Sequence, residues 1–119
     1  TRKREIRVHR TWIAADAGTL VNPDSVRAQF EGGTVMGLGA ALHEIMAIKA
    51  GEPQALNFAG YFPTRLSQVP ESIEVELLAT EHPPGGVGEI GLTMVAPAIA
   101  AAVARLTGKR LRSLPLQLA

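Results

Sequence analysis

The sequence has no cysteine. Disulfides, thiolate metal sites and cysteine nucleophiles are therefore excluded, while cytosol and periplasm remain equally compatible. Net charge is only +1, too little for the electrostatic footprint of a nucleic-acid or anionic-membrane binder. The basic residues gather at the two ends, Arg2, Lys3 and Arg4, then Lys109, Arg110 and Arg112, where a solvated face accounts for them. No apolar run is read as membrane-spanning and none as a signal peptide. There is no internal repeat and no low-complexity segment. The chain opens without Met, in the middle of what reads as a strand, which suggests a piece of something longer. His43-Glu44 starts like a zinc-protease helix, but the second histidine would fall at Ala47. With the histidines scattered at His9, His43 and His82, no side-chain metal site is expected.

What is present fits a folded domain. The 119 residues are 46% hydrophobic and 19% charged, so one domain spanning 1–119 is the default. Residues 4–15 alternate in a period of two, with Ile6, Val8, Arg10, Trp12 and Ala14 on one face, and read as a strand. Trp12, the single tryptophan, reads as a core anchor. Asp16-Ala17-Gly18-Thr19 is a turn. Asn22 is a good N-cap and Pro23 suits the first helical position, which opens a helix over 24–48. Its glycines each cost about 1 kcal/mol relative to alanine. They imply a partner packed close to the backbone, whether strand, helix or ligand. Ala50-Gly51 reads as the helix end.

Residues 54–61 read as a weak strand and 63–70 as a connecting loop. Ile73, Val75, Leu77 and Ala79 alternate with Glu74 and Glu76 as a half-buried strand. Pro97 opens an alanine-rich helix with a stripe of Ile99, Ala102, Val103 and Leu106. Gly108 closes it, and 111–116 reads as a last edge strand. The order predicts an α+β fold, a two-layer β-α-β-β-α-β domain with both helices on one face of a small mixed sheet.

The stretch that invites chemistry is Pro83-Pro84-Gly85-Gly86-Val87-Gly88-Glu89-Ile90-Gly91. Proline stops the preceding strand and glycine lets the backbone lie close against something. Glu89 sits in the middle as a lone carboxylate. The loop is either a tight strand-to-helix connection or a ligand cradle. It lacks the Lys-Ser/Thr of a phosphate-binding P-loop.

Three stretches together carry a family resemblance. They are Asp16-Ala17-Gly18-Thr19-Leu20-Val21-Asn22-Pro23; Gln29-Phe30-Glu31-Gly32-Gly33 continuing to Leu42; and the Gly85–Gly91 loop followed by Ala96-Pro97-Ala98-Ile99 and Thr107-Gly108-Lys109-Arg110. In this order and spacing the chain resembles the C-terminal part of the molybdenum-binding large subunit of the xanthine dehydrogenase and aldehyde oxidase family. The resemblance implies an oxidoreductase that hydroxylates an N-heteroaromatic, isoquinoline-like ring or an aldehyde with water-derived oxygen. It gives Glu89 the part of general base, and Gln29, Gly86, Val87 and Gly88 contact with the molybdenum–molybdopterin cofactor, in its cytosine dinucleotide form.

The resemblance also implies two partners, the remainder of the large subunit and a small subunit with two 2Fe-2S clusters. The fragment itself is expected to hold no cofactor and to be inactive. Ala28, Ile90 and Ala101 depart from the family's frequent Gly, Pro and Asn. The alternative reading is a non-catalytic α+β binding or oligomerisation module with a structural glycine loop.

Overall fold

The computed structural model describes residues 5–118. Its elements are β1 (Arg10–Asp16), α1 (Pro23–Leu42), β2 (Ile48–Lys49), β3 (Glu52–Pro53), β4 (Ser72–Leu78), α2 (Ile90–Thr93) and α3 (Val95–Thr107), with one 3-10 turn at Leu66–Gln68. The fold is α+β, but the predicted strand order is not what forms. β1 and β4 pair in parallel, Arg10 opposite Ser72 through Asp16 opposite Leu78. β2 and β3 form a separate antiparallel hairpin. Residues 54–61 and 111–116 are not strands.

Helix α1 starts where the sequence indicates. The Asn22 side-chain oxygen accepts from the Ser25 N–H at 3.0 Å, and Pro23 occupies the first turn. It ends earlier than the periodicity suggests, at a His43 cap. There the Glu44 carboxylate accepts from the Tyr61 hydroxyl at 2.8 Å and the Thr64 N–H at 3.3 Å, so a segment from later in the chain closes the helix end. Ala50 and Gly51 do not end a helix. Their φ values of 51° and 83° form the tip of the β2–β3 hairpin, where a tight two-residue turn needs positive φ.

Two core clusters share α1. Phe30, in its first half, packs with Ala15 of β1 and Val75 of β4. Leu38 and Ala41, in its second half, pack with Val95, Ile99 and Val103 of α3 and with Leu116. The expectation of both helices on one sheet face is therefore corrected: α1 covers the strand pair, and α3 covers α1. Its buried stripe is Val95, Ile99 and Val103 at i, i+4 spacing, while Ala102 and Leu106 face outward. Residues 111–116 return to the helices instead of to the sheet, with the Leu116 N–H donating to the Ala41 carbonyl at 2.7 Å.

Trp12 is not a core anchor; it is 68% exposed. Ile6 and Val8 do turn inward, but the alternation slips at His9–Arg10, and from there Thr11, Ile13 and Ala15 take the inner face. The slip falls where the His9 carbonyl accepts from the Glu71 N–H at 2.8 Å. Ile90–Thr107 also corrects the reading of apolar runs, since α2 and α3 together are long and apolar enough to cross a membrane by length and composition. In this fold Val95, Ile99 and Val103 are spent on α1.

Candidate functional site

The glycines that weaken α1 as a helix allow close packing on one side. A Cβ on Gly33 would lie 3.1 Å from the Gly91 carbonyl carbon and the Leu92 nitrogen, and one on Gly37 would lie 2.8 Å from the Leu92 carbonyl oxygen. Gly91 in turn sits on Phe30, with its virtual Cβ 3.1 Å from the Phe30 Cα and carbonyl oxygen. The close partner left open by the sequence is therefore α2 with the start of α3. This contact fixes the downstream end of the glycine loop on α1, one residue from Gln29.

The upstream end is fixed on the turn after β1. The Gly85 N–H donates to the Ala17 carbonyl at 2.8 Å. Thr19 donates twice to the His82 carbonyl, from its N–H at 2.8 Å and its hydroxyl at 2.9 Å. The Asp16 carboxylate accepts from the Gly18 N–H at 2.9 Å and from the Thr80 hydroxyl at 2.7 Å. These two bonds, the Gly18 N–H first, hold its carboxyl below the ordinary value of 3.8. Gly18 has φ +70°, and a side chain there would run into the carbonyl oxygens of Pro83 and His82. Only glycine allows this approach.

Between the two fixed ends, Val87 turns inward against the Phe30 cluster, while Gly86, Gly88 and Glu89 are exposed. Nothing lies within 4 Å of where a Cβ on Gly86 or Gly88 would be. Among the described residues none bonds to the N–H groups of Gly86, Val87 or Gly88. Glu89 is the N-cap of α2, with no side-chain capping bond. A shallow groove of about 260 Å³ joins the loop to the helix, lined by Ala17, Asn22, Gln29, Gly85 and Val87 among others. Gln29 and Val87 therefore share one groove wall, whereas Gly86, Gly88 and Glu89 stand beside it without lining it.

This arrangement can offer a planar, heteroatom-rich group both faces of a hydrogen-bond pair. The Gln29 amide both donates and accepts. The open loop backbone donates, and no side chain of the loop's own fills the space beside it. The residues therefore fit a pterin edge. Among the described residues no group of three or more His, Asp or Glu side chains could hold a metal ion. Sequence reasoning read Asp16-Ala17-Gly18-Thr19 as a turn and as part of the resemblance without giving Asp16 or Thr19 a part in holding the loop, and it did not name Thr80, which has no sequence signal.

The first 70 residues match the family model described as "Molybdopterin cofactor-binding domain". The chain belongs to that family, as a part of the large subunits of the xanthine dehydrogenase and aldehyde oxidase class. Over 92% of its length it is 46% identical to the isoquinoline 1-oxidoreductase subunit beta of Brevundimonas diminuta, covering 14% of that protein. It is 41% identical over 88% of its length to the membrane-bound aldehyde dehydrogenase (pyrroloquinoline-quinone) of Gluconacetobacter polyoxogenes, again 14% of that protein. Among solved structures, quinoline 2-oxidoreductase from Pseudomonas putida 86 superimposes with a TM-score of 0.80 at 26% identity, over 92% of this chain and 15% of the other. The chain thus spans about a seventh of the length of these relatives.

Proposed function

We propose that this chain forms one wall of the active site of a molybdenum hydroxylase, acting on an N-heteroaromatic ring or an aldehyde as part of a larger subunit. The observation that carries the proposal is the groove that Gln29 lines together with Gly85 and Val87 of the glycine loop. Gln29 and the backbone of Gly86, Val87 and Gly88 would hold the pterin of the molybdenum cofactor. When bound, that group supplies an activated water-derived oxygen and accepts the electrons of the oxidation. Glu89 takes the proton released as the oxygen joins the electron-poor carbon. Its carboxylate suits that task because no bond within the described residues occupies it.

The remainder of the large subunit completes the pocket in this reading. The resemblance sends the electrons out through a small subunit with two 2Fe-2S clusters; this chain has no cysteine to ligate iron. The cofactor is proposed in its cytosine dinucleotide form.

The test uses the complete subunit with its partner. Molybdenum content, the nucleotide released on denaturation, and turnover of isoquinoline and benzaldehyde are measured with and without Glu89→Gln. The expected result is retained molybdenum, a cytidine nucleotide, and turnover lower by at least about a hundredfold in the variant. Near-normal turnover of Glu89→Gln would sink the assignment. A well-folded wild type with no molybdenum favours the non-catalytic module, and recovery of a quinone instead would favour the cofactor named for the Gluconacetobacter relative.

A further inference from the structure

We infer that Asp16 and Thr80 are positioning residues for Glu89, forming a latch that fixes where the glycine loop begins. The inference rests on the reading of Glu89 as the base. The geometry is specific. Asp16 is the last residue of β1 and Thr80 follows the end of β4, so the carboxylate ties together the exits of the two paired strands. One oxygen, Oδ1, takes both the Thr80 hydroxyl at 2.7 Å and the Gly18 N–H at 2.9 Å. The bond to Gly18 bends the chain back so that Thr19 can hold the His82 carbonyl and Ala17 can hold the Gly85 N–H.

Beyond Gly85 the fixed points among the described residues are Val87 in the Phe30 cluster, the Glu89 carbonyl, which accepts from the Leu92 N–H at 3.1 Å, and Gly91 on α1. Glu89 ends a short arch whose upstream footing is set by the latch and whose downstream footing is α2. Neither Asp16 nor Thr80 lines the groove beside Gln29, so their influence on the reaction must pass through the backbone of 82–89. Misplacing a catalytic group by about 1 Å can cost on the order of a hundredfold in rate, whereas the groove that holds Gln29 is built mainly by α1 and the 17–22 turn.

The experiment compares Thr80→Val and Thr80→Ser in the complete subunit with its partner. Valine keeps the shape and removes the hydroxyl; serine restores it. Two readouts are taken. One is hydrogen exchange of the peptide covering 82–91, followed by mass spectrometry. The other is kcat and KM for benzaldehyde with molybdenum content per subunit. The expected result for valine is faster exchange in 82–91, a kcat lower by about tenfold or more, and KM and molybdenum within about twofold of wild type. Serine is expected to recover both readouts.

Unchanged exchange with valine overturns the latch. Faster exchange with unchanged kcat overturns its role in positioning. A parallel loss of molybdenum and kcat overturns it too, because the bond would then hold the cofactor wall and not Glu89. Should the wild type contain no molybdenum, the reading of the site fails, while the exchange comparison still decides whether the hydroxyl holds the loop.

Discussion

At the scale of single residues, the most informative positions are those where one atom decides the outcome. Thr11 belongs to the inner face of β1, and its hydroxyl is buried without a partner among the described residues. A buried unpaired hydroxyl costs about 1–3 kcal/mol, and valine fills nearly the same volume and favours strands. Thr11→Val is therefore expected to raise the urea midpoint of this chain by about 1 kcal/mol or more in equivalent stability. Gly18 gives the opposite sign. Alanine would face both a positive φ and two carbonyl oxygens, and Gly18→Ala should lower stability by about 1–3 kcal/mol in the same urea series.

Asp16 gives a prediction in pH. Its carboxyl is held lower in the folded state than when unfolded. Its stabilising part is present above the ordinary value of 3.8 and is lost as pH falls through the lower folded value. Urea midpoints measured from pH 6 downward should fall below pH about 4 in the wild type, and less steeply in Asp16→Asn, which keeps the acceptor oxygen and removes the titration. An equal slope in both would show that the carboxylate is not bonded as described.

At the scale of elements, the glycines of α1 separate into two kinds that the sequence alone presents as one. Nothing lies within 4 Å of a Cβ on Gly32, whereas one on Gly37 would meet the Val95 side chain at 2.6 Å and the Leu92 carbonyl at 2.8 Å. Gly32→Ala should stabilise by up to about 1 kcal/mol through helix propensity. Gly37→Ala should destabilise despite the same gain, because backbone of α2 has to move. Paired thermal melts check both signs.

Legibility also divides at this scale. The start of α1 was readable because Asn22 and Pro23 act on their immediate neighbours, and β4 because its alternation of Ile73, Val75 and Leu77 with glutamates is uninterrupted. The end of α1 was not readable. Ile45, Met46 and Ile48 continue an apolar spacing, while the group that stops the helix, Glu44, is engaged by Tyr61 and Thr64, which no local pattern announces. The inner face of β1 was missed for a similar reason, since a one-residue slip at His9 exchanges the faces. Of the candidate site, Gln29 and the loop could be named from the resemblance. The latch that joins Asp16 to Thr80 could not, because it exists only once β1 and β4 lie side by side.

At the scale of the whole molecule, the surface is unusually apolar along 45–66. Ile45, Ile48, Leu56, Phe58, Phe62 and Leu66 are all exposed, Phe58 at 75%. Exposed apolar area of this kind drives association when nothing covers it. This chain alone is expected to self-associate with rising concentration in analytical ultracentrifugation, and Leu56→Ser with Phe58→Ser should shift the distribution toward monomer without lowering the thermal midpoint. An unchanged distribution would place the sticky surface elsewhere.

The sharing of α1 between two cores has a consequence for how the chain is made. Within this segment Ile6, Val8 and Ala15 precede the helix, but most of the surfaces that cover it come later: β4 from Ser72, α2 from Ile90, α3 through Thr107 and finally Leu116. At about 5–20 residues per second, α1 waits several seconds with most of both flanks bare. Synthesis pauses placed before residue 72 would lengthen that wait, and pauses after 107 would not. Codon choice between residues 42 and 72 should therefore matter more for the yield of folded protein than codon choice after residue 107.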